Sequence, residues 1–298
     1  MGPSKFELER SLLQKAVRRG NEYVIEKVFK YLLLNDKKSW LKKRLVVMGY
    51  EECWTFANQL NLNCNNYQLL EQYKTLARAV KNKNADGLAD LARKVNEYEF
   101  SAIVGTDEDQ KAIRSVANSM IYPYYFWEWI KSQPGYNDNK VRIRQAKKDV
   151  NKKTIPDDSS MMYAAAYLAA KYPIPETKFT DQNHQPDFPY WIAIDKHTSV
   201  GREAYVEACR QIDLPSYRAE HLGFYLEGGV CNKVIESPFW DHMVNWYLNH
   251  IHFSMDEAKE KWEELKPILI ELTKDAVDEM LDRINNLRIG SDQLELFE

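Results

Sequence analysis

The residues of this chain whose types best suit catalysis lie in the segment Asp195–Ser199, directly after an apolar run. In an extended backbone the side chains of Asp195 and His197 point to the same side, because side chains alternate along a strand. A carboxylate placed there could activate water or stabilise a positively charged sugar, and an imidazole can move a proton near neutral pH. We therefore predict Asp195 and His197 as catalytic residues.

A helix predicted to begin near Ser199 allows two further interpretations of the same segment. The free N–H groups at a helix amino end favour anions, so a phosphate could bind there beside Arg202. Alternatively, Asp195 and Thr198 only cap that helix, and His197 fills a half-buried polar gap. The pattern leaves the catalytic and the capping interpretations open.

The spacing of the other reactive residues gives little support to metal or nucleotide chemistry. The four cysteines include no Cys-x-x-Cys pair, which is a common unit of zinc sites. His250-Ile251-His252 together with His242 is explained more simply by polar helix ends than by a metal. No Gly-x-x-x-x-Gly-Lys-Ser/Thr loop occurs, so the chain has no module for P-loop ATP hydrolysis. We predict neither a metal nor a cofactor.

Basic residues are concentrated in two segments, although the net charge of the chain is only −3. Residues 1–50 contain twelve Lys and Arg against five acids, and residues 131–153 contain eight against two. Such segments can bind a polyanion on one face, or they can be ordinary solvated helix faces. The residues predicted to contact DNA are Arg18, Arg19, Lys42, Lys43, Arg44, Arg142, Arg144, Lys147, Lys148, Lys152, Lys153 and Arg202.

An aromatic cluster, residues 122–129, immediately precedes the second basic segment. Aromatic rings beside basic residues can stack on unpaired bases, which is how many proteins bind single strands. The rings can equally belong to an apolar core, where large aromatic side chains are common. Both interpretations remain open from the sequence.

The elements that must position these residues are helices. Apolar residues recur every three or four positions along most of the chain, and the fold class that this predicts is all-α. Four prolines between residues 173 and 189 interrupt the pattern and predict a boundary. We therefore expect an N-terminal helical region at 5–172, a C-terminal helical region at 173–289 and a flexible tail at 290–298. No apolar run is long enough to span a membrane, so we expect a cytoplasmic protein.

The first helices carry a resemblance to a known family. Residues 12–21 (LLQKAVRRGN) and residues 40–52 (WLKKRLVVMGYEE) resemble the helical C-terminal region of the recombination ATPase RarA (MgsA) and its clamp-loader relatives. The resemblance covers about residues 6–56 and implies a helical scaffold like the clamp-loader collar, associated with replication machinery. The ATPase module of that family is absent from this chain.

The tail at 290–298 carries a second resemblance. Gln293, Leu294, Leu296 and Phe297 match the peptide Gln-Leu-x-Leu-Phe with which bacterial DNA polymerases and repair proteins dock on the sliding clamp. The apolar side chains of such a tail would enter a groove on the clamp, while the glutamine amide bonds at its rim. The resemblance implies the bacterial sliding clamp as a partner and association with the nucleoid.

Two functions follow as hypotheses. The first is a DNA-binding replication or repair accessory protein, tethered to the sliding clamp and without ATPase activity. The alternative is a DNA glycosylase that needs neither metal nor ATP and takes a flipped-out base into a pocket. In the alternative, Asp195 is the carboxylate that assists hydrolysis of the N-glycosidic bond.

Overall fold

Helices form nearly all of the regular structure of this protein. The structure is a computed structural model, and it describes residues 6–35, 37–95, 105–150 and 158–287. The helices of the described part are α1 (Glu7–Arg18), α2 (Glu22–Leu34), α3 (Lys38–Ala57), α4 (Asn66–Arg78), α5 (Asn84–Lys94), α6 (Asp107–Ile121), α7 (Pro123–Trp129), α8 (Lys140–Val150), α9 (Ser159–Lys171), α10 (Ser199–Gln211), α11 (Ser216–Gly223), α12 (Pro238–His250) and α13 (Met255–Asn285). Extended segments within these ranges meet only in isolated bridges. The all-α prediction is confirmed.

Local signals determine where several helices begin and end. Gly20 has a positive φ of 72° between α1 and α2, and Asn21 then caps α2 through a bond from the Val24 N–H. A side chain with a Cβ is strained in that left-handed conformation, which explains the glycine. A capping box begins α13, with the Ser254 hydroxyl accepting the N–H of Glu257.

Two segments depart from regular α-helix. Residues Tyr190–Ala193 form a short 3₁₀ helix. Helix α3 contains a kink at Cys53 (φ −156°, ψ 73°). The kink exposes the carbonyl of Glu52, which accepts the N–H of Asn82 at 2.9 Å. This hydrogen bond connects α3 to the segment that precedes α5.

The apolar residues gather into two large cores and one small one. The first core joins α3, α5, α6, α9 and α12. The second joins α1–α4 with the 3₁₀ helix and the carboxyl end of α13, and the small core joins α10, α11 and α13. The boundary predicted between residues 172 and 173 is therefore not a division of the cores, because α12 and α13 return to pack on the first half of the chain.

The part of the chain that is described contains no helix that is long and apolar enough to cross a bilayer. The clamp-binding residues Gln293, Leu294, Leu296 and Phe297 lie outside the described residues, as do Lys152 and Lys153. The interaction predicted for the tail stays a prediction.

Lys81 stabilises the carboxyl end of α4. Its side chain is fully buried, and its ammonium donates to the carbonyls of Leu76, Ala77 and Ala79, each at 2.8 Å. The last carbonyls of a helix lack intrahelical donors and carry partial negative charge, so a cation satisfies them both by hydrogen bonding and by its charge. We infer that this ammonium replaces the water that would otherwise solvate the helix end.

Replacing Lys81 with Met should destabilise the fold by about 3 kcal/mol, since it removes the donors and leaves three buried carbonyls without them. Urea denaturation followed by circular dichroism measures the change. Lys30→Met removes a partly exposed ion pair with Glu26 and is the control; it should cost under ~1 kcal/mol. A Lys81→Met protein as stable as the Lys30→Met protein would contradict this account.

Candidate functional site

A cavity of about 660 Å³ is lined by elements of both large cores, and we call it the central cavity. Three helices line it with residues spaced three or four apart, which is the spacing of one helix face. These are Glu7, Arg10, Ser11, Gln14, Lys15 and Arg18 of α1, Asp86, Asp90 and Arg93 of α5, and Trp240, Met243 and Tyr247 of α12. The segment 195–198 and the rings of Phe224 and Tyr225 also line it. The polar faces of α1 and α5 therefore point inward.

Buried ion pairs connect the walls of the central cavity. Lys15 pairs with Asp195, and the two side chains are only 5% and 13% exposed. Arg18 pairs with both Glu51 and Glu52 of α3, and its guanidinium also donates to the carbonyl of Gly228 at 3.0 Å. Because a buried charge is costly unless it is paired, these contacts hold α1, α3 and the 195–198 segment in one arrangement.

Lys83 extends the network to α5. Its ammonium lies 3.4 Å from Glu52 and 2.7 Å from Asp86, and 4.4 Å from the centre of the Trp240 ring. Burial raises the pKa of Asp86 to about 6, while the Lys83 ammonium acts in the opposite direction. Asp86 is thus the acid of this group that gains a proton most easily as the pH falls.

Asp195 is held as a carboxylate. Its Oδ2 atom accepts from Lys15 and from the Ser11 hydroxyl, and its Oδ1 atom accepts the His197 N–H at 2.8 Å. Burial acts to raise the pKa of Asp195, but Lys15 and the His197 N–H outweigh it, so the pKa lies below its usual range. Asp195 and His197 both line this cavity, but the segment 195–198 is a turn, closed by the Thr198 N–H on the Asp195 carbonyl, and not the extended stretch that the sequence analysis assumed. Their catalytic role stays a prediction.

The amino end of α10 does not offer the anion site that the sequence allowed. The Thr198 hydroxyl accepts the Gly201 N–H at 3.0 Å, which confirms the predicted cap. The Glu7 carboxylate accepts both the N–H and the hydroxyl of Ser199. A carboxylate of this chain therefore occupies the position predicted for a phosphate. Arg202 is exposed nearby, with a long 3.5 Å contact to the Lys196 carbonyl.

Gly201 allows α10 to approach this segment closely. A Cβ atom at that position would lie 1.9 Å from the Asp195 carbonyl oxygen, well inside van der Waals contact. The glycine thus places the first turn of α10 against the segment that carries the cavity residues.

Lys196 differs from four other cations of the cavity wall. Lys15, Arg18, Arg44 and Arg93 are each ion-paired. For Lys196, in contrast, none of the described carboxylates lies within ion-pair distance. The nearest defined contact of its ammonium is the Phe224 ring, whose centre is 5.7 Å away. Lys196 is the amine of the cavity wall that is left without a counter-ion.

Aromatic rings form the other side of the central cavity. Tyr225 packs against Tyr247 at 5.1 Å and against Phe224 at 5.0 Å between ring centres. Trp240 completes the group at 6.3 Å from Tyr225. Flat apolar walls opposite charged groups are the usual composition of a pocket for a small polar molecule.

The structure changes the set of basic residues available to a nucleic acid. Arg18 is buried and satisfied by two carboxylates, so it is not available to a phosphate backbone, and its prediction is wrong. Four others also bond within the protein, namely Arg19 to Glu227, Lys42 to the Leu62 carbonyl, Arg44 to Glu51, and Arg142 to Thr55 and Asn58. The exposed members are Lys43, Arg144, Lys147, Lys148 and Arg202.

The aromatic cluster is divided between a core and the surface. Phe126 and Trp127 are buried in the first core. The outward rings are Tyr122, Tyr124, Tyr125 and Trp129, and we call them the aromatic face; Tyr124 and Tyr125 are 70% and 71% exposed. A groove of about 470 Å³ runs along the face, lined in part by Ser115, Asn118 and Ser119. Large exposed rings in such number are unusual for a surface without a partner.

One basic residue of α8 approaches α7, the helix that carries three of the four outward rings. The Lys147 ammonium lies 5.5 Å from the centre of the Trp127 ring, which belongs to α7 and is buried in the first core. Trp129 stacks on Tyr167 of α9 at 5.9 Å, and α8 packs on the same helix. The face and the basic side chains are thus carried by one rigid unit.

The histidines that were considered as metal ligands contact different parts of the protein. His242 pairs with Asp109 at 3.3 Å, and His250 stacks on Trp246 at 5.1 Å. Among the residues that the structure describes, no group of three or more His, Cys, Asp or Glu is placed to hold a metal ion.

The sequence analysis missed Lys15, Asp86 and Lys196 as cavity residues. It also missed that Glu51 and Glu52 both pair with Arg18. A signal did exist in α1. Its polar residues recur on one face while the rest of the helix is apolar, but solvent-facing helices show the same pattern.

Comparison with protein-family models, with curated proteins and with solved structures found no match. The resemblance to RarA therefore stays a prediction, and the function is argued from the geometry of this chain.

The ion pairs of Glu51 should make stability depend on acid pH. Burial raises the pKa of Glu51, but Arg18 and Arg44 lower it further, to about 2. Because the folded pKa lies below that of the unfolded chain, the stabilisation is complete above pH ~4.5 and is lost as the pH falls towards ~2. We expect a loss of about 3 kcal/mol over that range.

Urea denaturation at a series of pH values tests this dependence. Glu51→Gln should lower the free energy of unfolding at pH 7 by about 2 kcal/mol. It should also make that free energy fall less steeply with pH in the acid range. Glu263→Gln, at an exposed position on α13, is the matched control and should follow the wild type. If the free energy of unfolding of Glu51→Gln fell as steeply at acid pH as that of the wild type, another group would cause the pH dependence.

Proposed function

We propose that this protein is a nucleic-acid-binding accessory of DNA replication or repair that engages unpaired bases. The observation that carries the proposal is the aromatic face, with four rings turned outward, while Lys147 of α8 lies against a ring of α7, the helix that carries most of that face. Stacking on an aromatic ring contributes ~1–3 kcal/mol per base and requires bases that are not paired. A single strand is therefore the form of DNA that suits this face best.

The distribution of charge supports the same choice. Arg144, Lys147 and Lys148 are exposed on α8, and the strand backbone can follow them while its bases turn towards the rings. The whole chain has a net charge of −3, so attraction must come from this local group rather than from the protein as a whole. Binding is thus expected to be moderate in strength and sensitive to salt.

The predicted partners extend the proposal. The resemblance of residues 6–56 to the helical region of RarA, without its ATPase module, favours a non-hydrolytic role. The tail Gln293–Phe297 adds a sliding clamp as the partner that would concentrate the protein at replicating DNA. Neither resemblance depends on the aromatic face, so the two lines of support are separate.

Replacing Tyr124 and Tyr125 with Ala should weaken binding to a single-stranded oligonucleotide at least tenfold, since two stacking positions are lost. Fluorescence anisotropy with a labelled oligonucleotide measures the affinity. Tyr217→Ala, at a ring on α11 that is 48% exposed, is the control and should bind as the wild type does.

The same assay tests the basic residues. Lys147→Ala with Lys148→Ala should reduce the dependence of log affinity on log salt by ~1.4, for two lost phosphate contacts. Equal oligonucleotide affinity of the wild type and the variant with Ala at positions 124 and 125 would show that the aromatic face does not bind the strand. Tighter binding to duplex than to single strands would contradict the preference for unpaired bases.

A second candidate function is favoured by the central cavity. Asp195 is an ionised carboxylate on its wall, and four aromatic rings face it across a space that suits one flipped-out nucleoside. This arrangement supports hydrolysis of an N-glycosidic bond, in which a carboxylate stabilises the positively charged sugar. The pairing of Asp195 with Lys15 weakens that stabilisation, so this candidate comes second.

Incubation with single- and double-stranded oligonucleotides that contain modified bases, followed by alkali, reveals abasic sites as strand breaks. We expect breaks with the wild type and a loss of at least a hundredfold in Asp195→Asn. Asp187→Asn, at an exposed loop position, should remain active. Urea denaturation of each variant identifies any loss that comes from unfolding. Intact strands with the wild type on every substrate would remove the glycosylase candidate.

A further inference from the structure

Lys196 has no assigned partner or task within the central cavity. Its side chain is half-buried, it lines the cavity, and no described carboxylate lies within ion-pair distance of it. The charged groups around it at longer range are Glu220, Asp90, Asp195 and Lys94. An amine that a fold keeps unpaired in a pocket is available to react with a ligand.

We infer that Lys196 is a nucleophilic amine that captures a sugar aldehyde in the central cavity as an imine. The geometry that supports this is an amine on the wall of the central cavity that has no ion pair with a described carboxylate, with a proton-carrying group in the next residue. Lysine amines that form imines with carbonyl compounds are activated by an apolar surrounding or by a second cation.

The surroundings of Lys196 provide that activation. Burial by the cavity wall, with the Phe224 ring 5.7 Å from the ammonium, lowers the pKa of Lys196, although Glu220 and Asp90 act to raise it. A larger fraction of the amine is therefore neutral, and only the neutral amine has a lone pair to donate.

The reaction requires no oxidant and no additional reactant. The Lys196 nitrogen attacks the aldehyde carbon, the C–N bond forms, and the carbonyl electron pair moves to oxygen, which takes up a proton as nitrogen loses one. The hydroxyl then leaves with a second proton as water, and the C=N bond forms. His197 lines the same cavity, and burial by the cavity wall lowers its pKa, so the neutral imidazole can carry these protons.

The composition of the cavity identifies the class of aldehyde. Carboxylates of α1 and α5 and the hydroxyl of Tyr225 offer hydrogen bonds to sugar hydroxyls, and the rings of Tyr225 and Trp240 offer flat apolar surface to its C–H groups. A volume of about 660 Å³ suits a sugar phosphate. The base-free deoxyribose of damaged DNA is the form of such an aldehyde that would reach the cavity, a choice that rests on the proposed nucleic-acid binding.

Trapping with sodium cyanoborohydride tests the inference, because hydride reduces the imine to a stable amine. The full-length protein is incubated with 2-deoxyribose 5-phosphate in one arm and with an oligonucleotide containing an abasic site in the other. Peptide mapping by mass spectrometry locates the adduct. We expect it on Lys196 in both arms, at least tenfold above any other lysine.

Lys196→Arg keeps the charge but cannot form an imine, so the variant should give no adduct at this position. Its urea unfolding midpoint should equal that of the wild type. Lys259→Arg, at an exposed site on α13, is the matched control and should keep the full yield. Adducts spread over the surface lysines, or an unchanged yield in Lys196→Arg, would overturn the inference.

The two arms separate this inference from the proposed function. An adduct with the free sugar alone supports the amine site and excludes DNA as its source. Trapping in neither arm overturns the inference, and the oligonucleotide affinity of the tyrosine variants still decides the proposed function by itself.

Discussion

Pairing of buried charges between the two large apolar cores is the interaction on which the rest of the structure depends. Lys15, Arg18 and Lys83 are almost fully removed from water, and each would be strongly destabilising alone. Lys15 and Arg18 of α1 pair with Asp195 and with Glu51 and Glu52 of α3, and Lys83 at the start of α5 also pairs with Glu52. Satisfying the charges therefore requires α1, α3, α5 and the 195–198 segment to meet in one arrangement. Apolar packing alone would allow many relative positions of these helices, whereas paired charges in fixed directions allow few.

The same network explains why a cavity persists in the interior. Polar faces that point inward cannot pack as closely as apolar ones, because each charged group needs its partner at a particular distance and angle. The aromatic rings of α12 and of the segment at Phe224 and Tyr225 line the remaining space. The ion pairs neutralise Lys15 and Arg18, whereas Lys196 has no ion pair with a described carboxylate. The aromatic face, in contrast, depends on α6, α7 and α9 in the first core.

Local structure was largely predictable. The cap at Thr198 formed as predicted, because it depends on residues within one helical turn. The cap at Asn21 and the capping box at Ser254 are equally local. The proline-rich segment was correctly predicted to interrupt the helices. The boundary predicted in this segment does not coincide with a division of the apolar cores, because α13 returns to contact α2, which is far away in the chain.

The sequence by itself determined the all-helical class, most helix limits and the presence of polar faces on α1 and α5. It also placed Asp195 and His197 beside each other as candidates. Only the tertiary structure decided that those polar faces point inward, that Arg18 pairs with Glu51 and Glu52, and that Glu7 occupies the amino end of α10. The physical reason is that helical periodicity records which residues share a face, whereas packing against distant elements decides whether that face meets water or another charge.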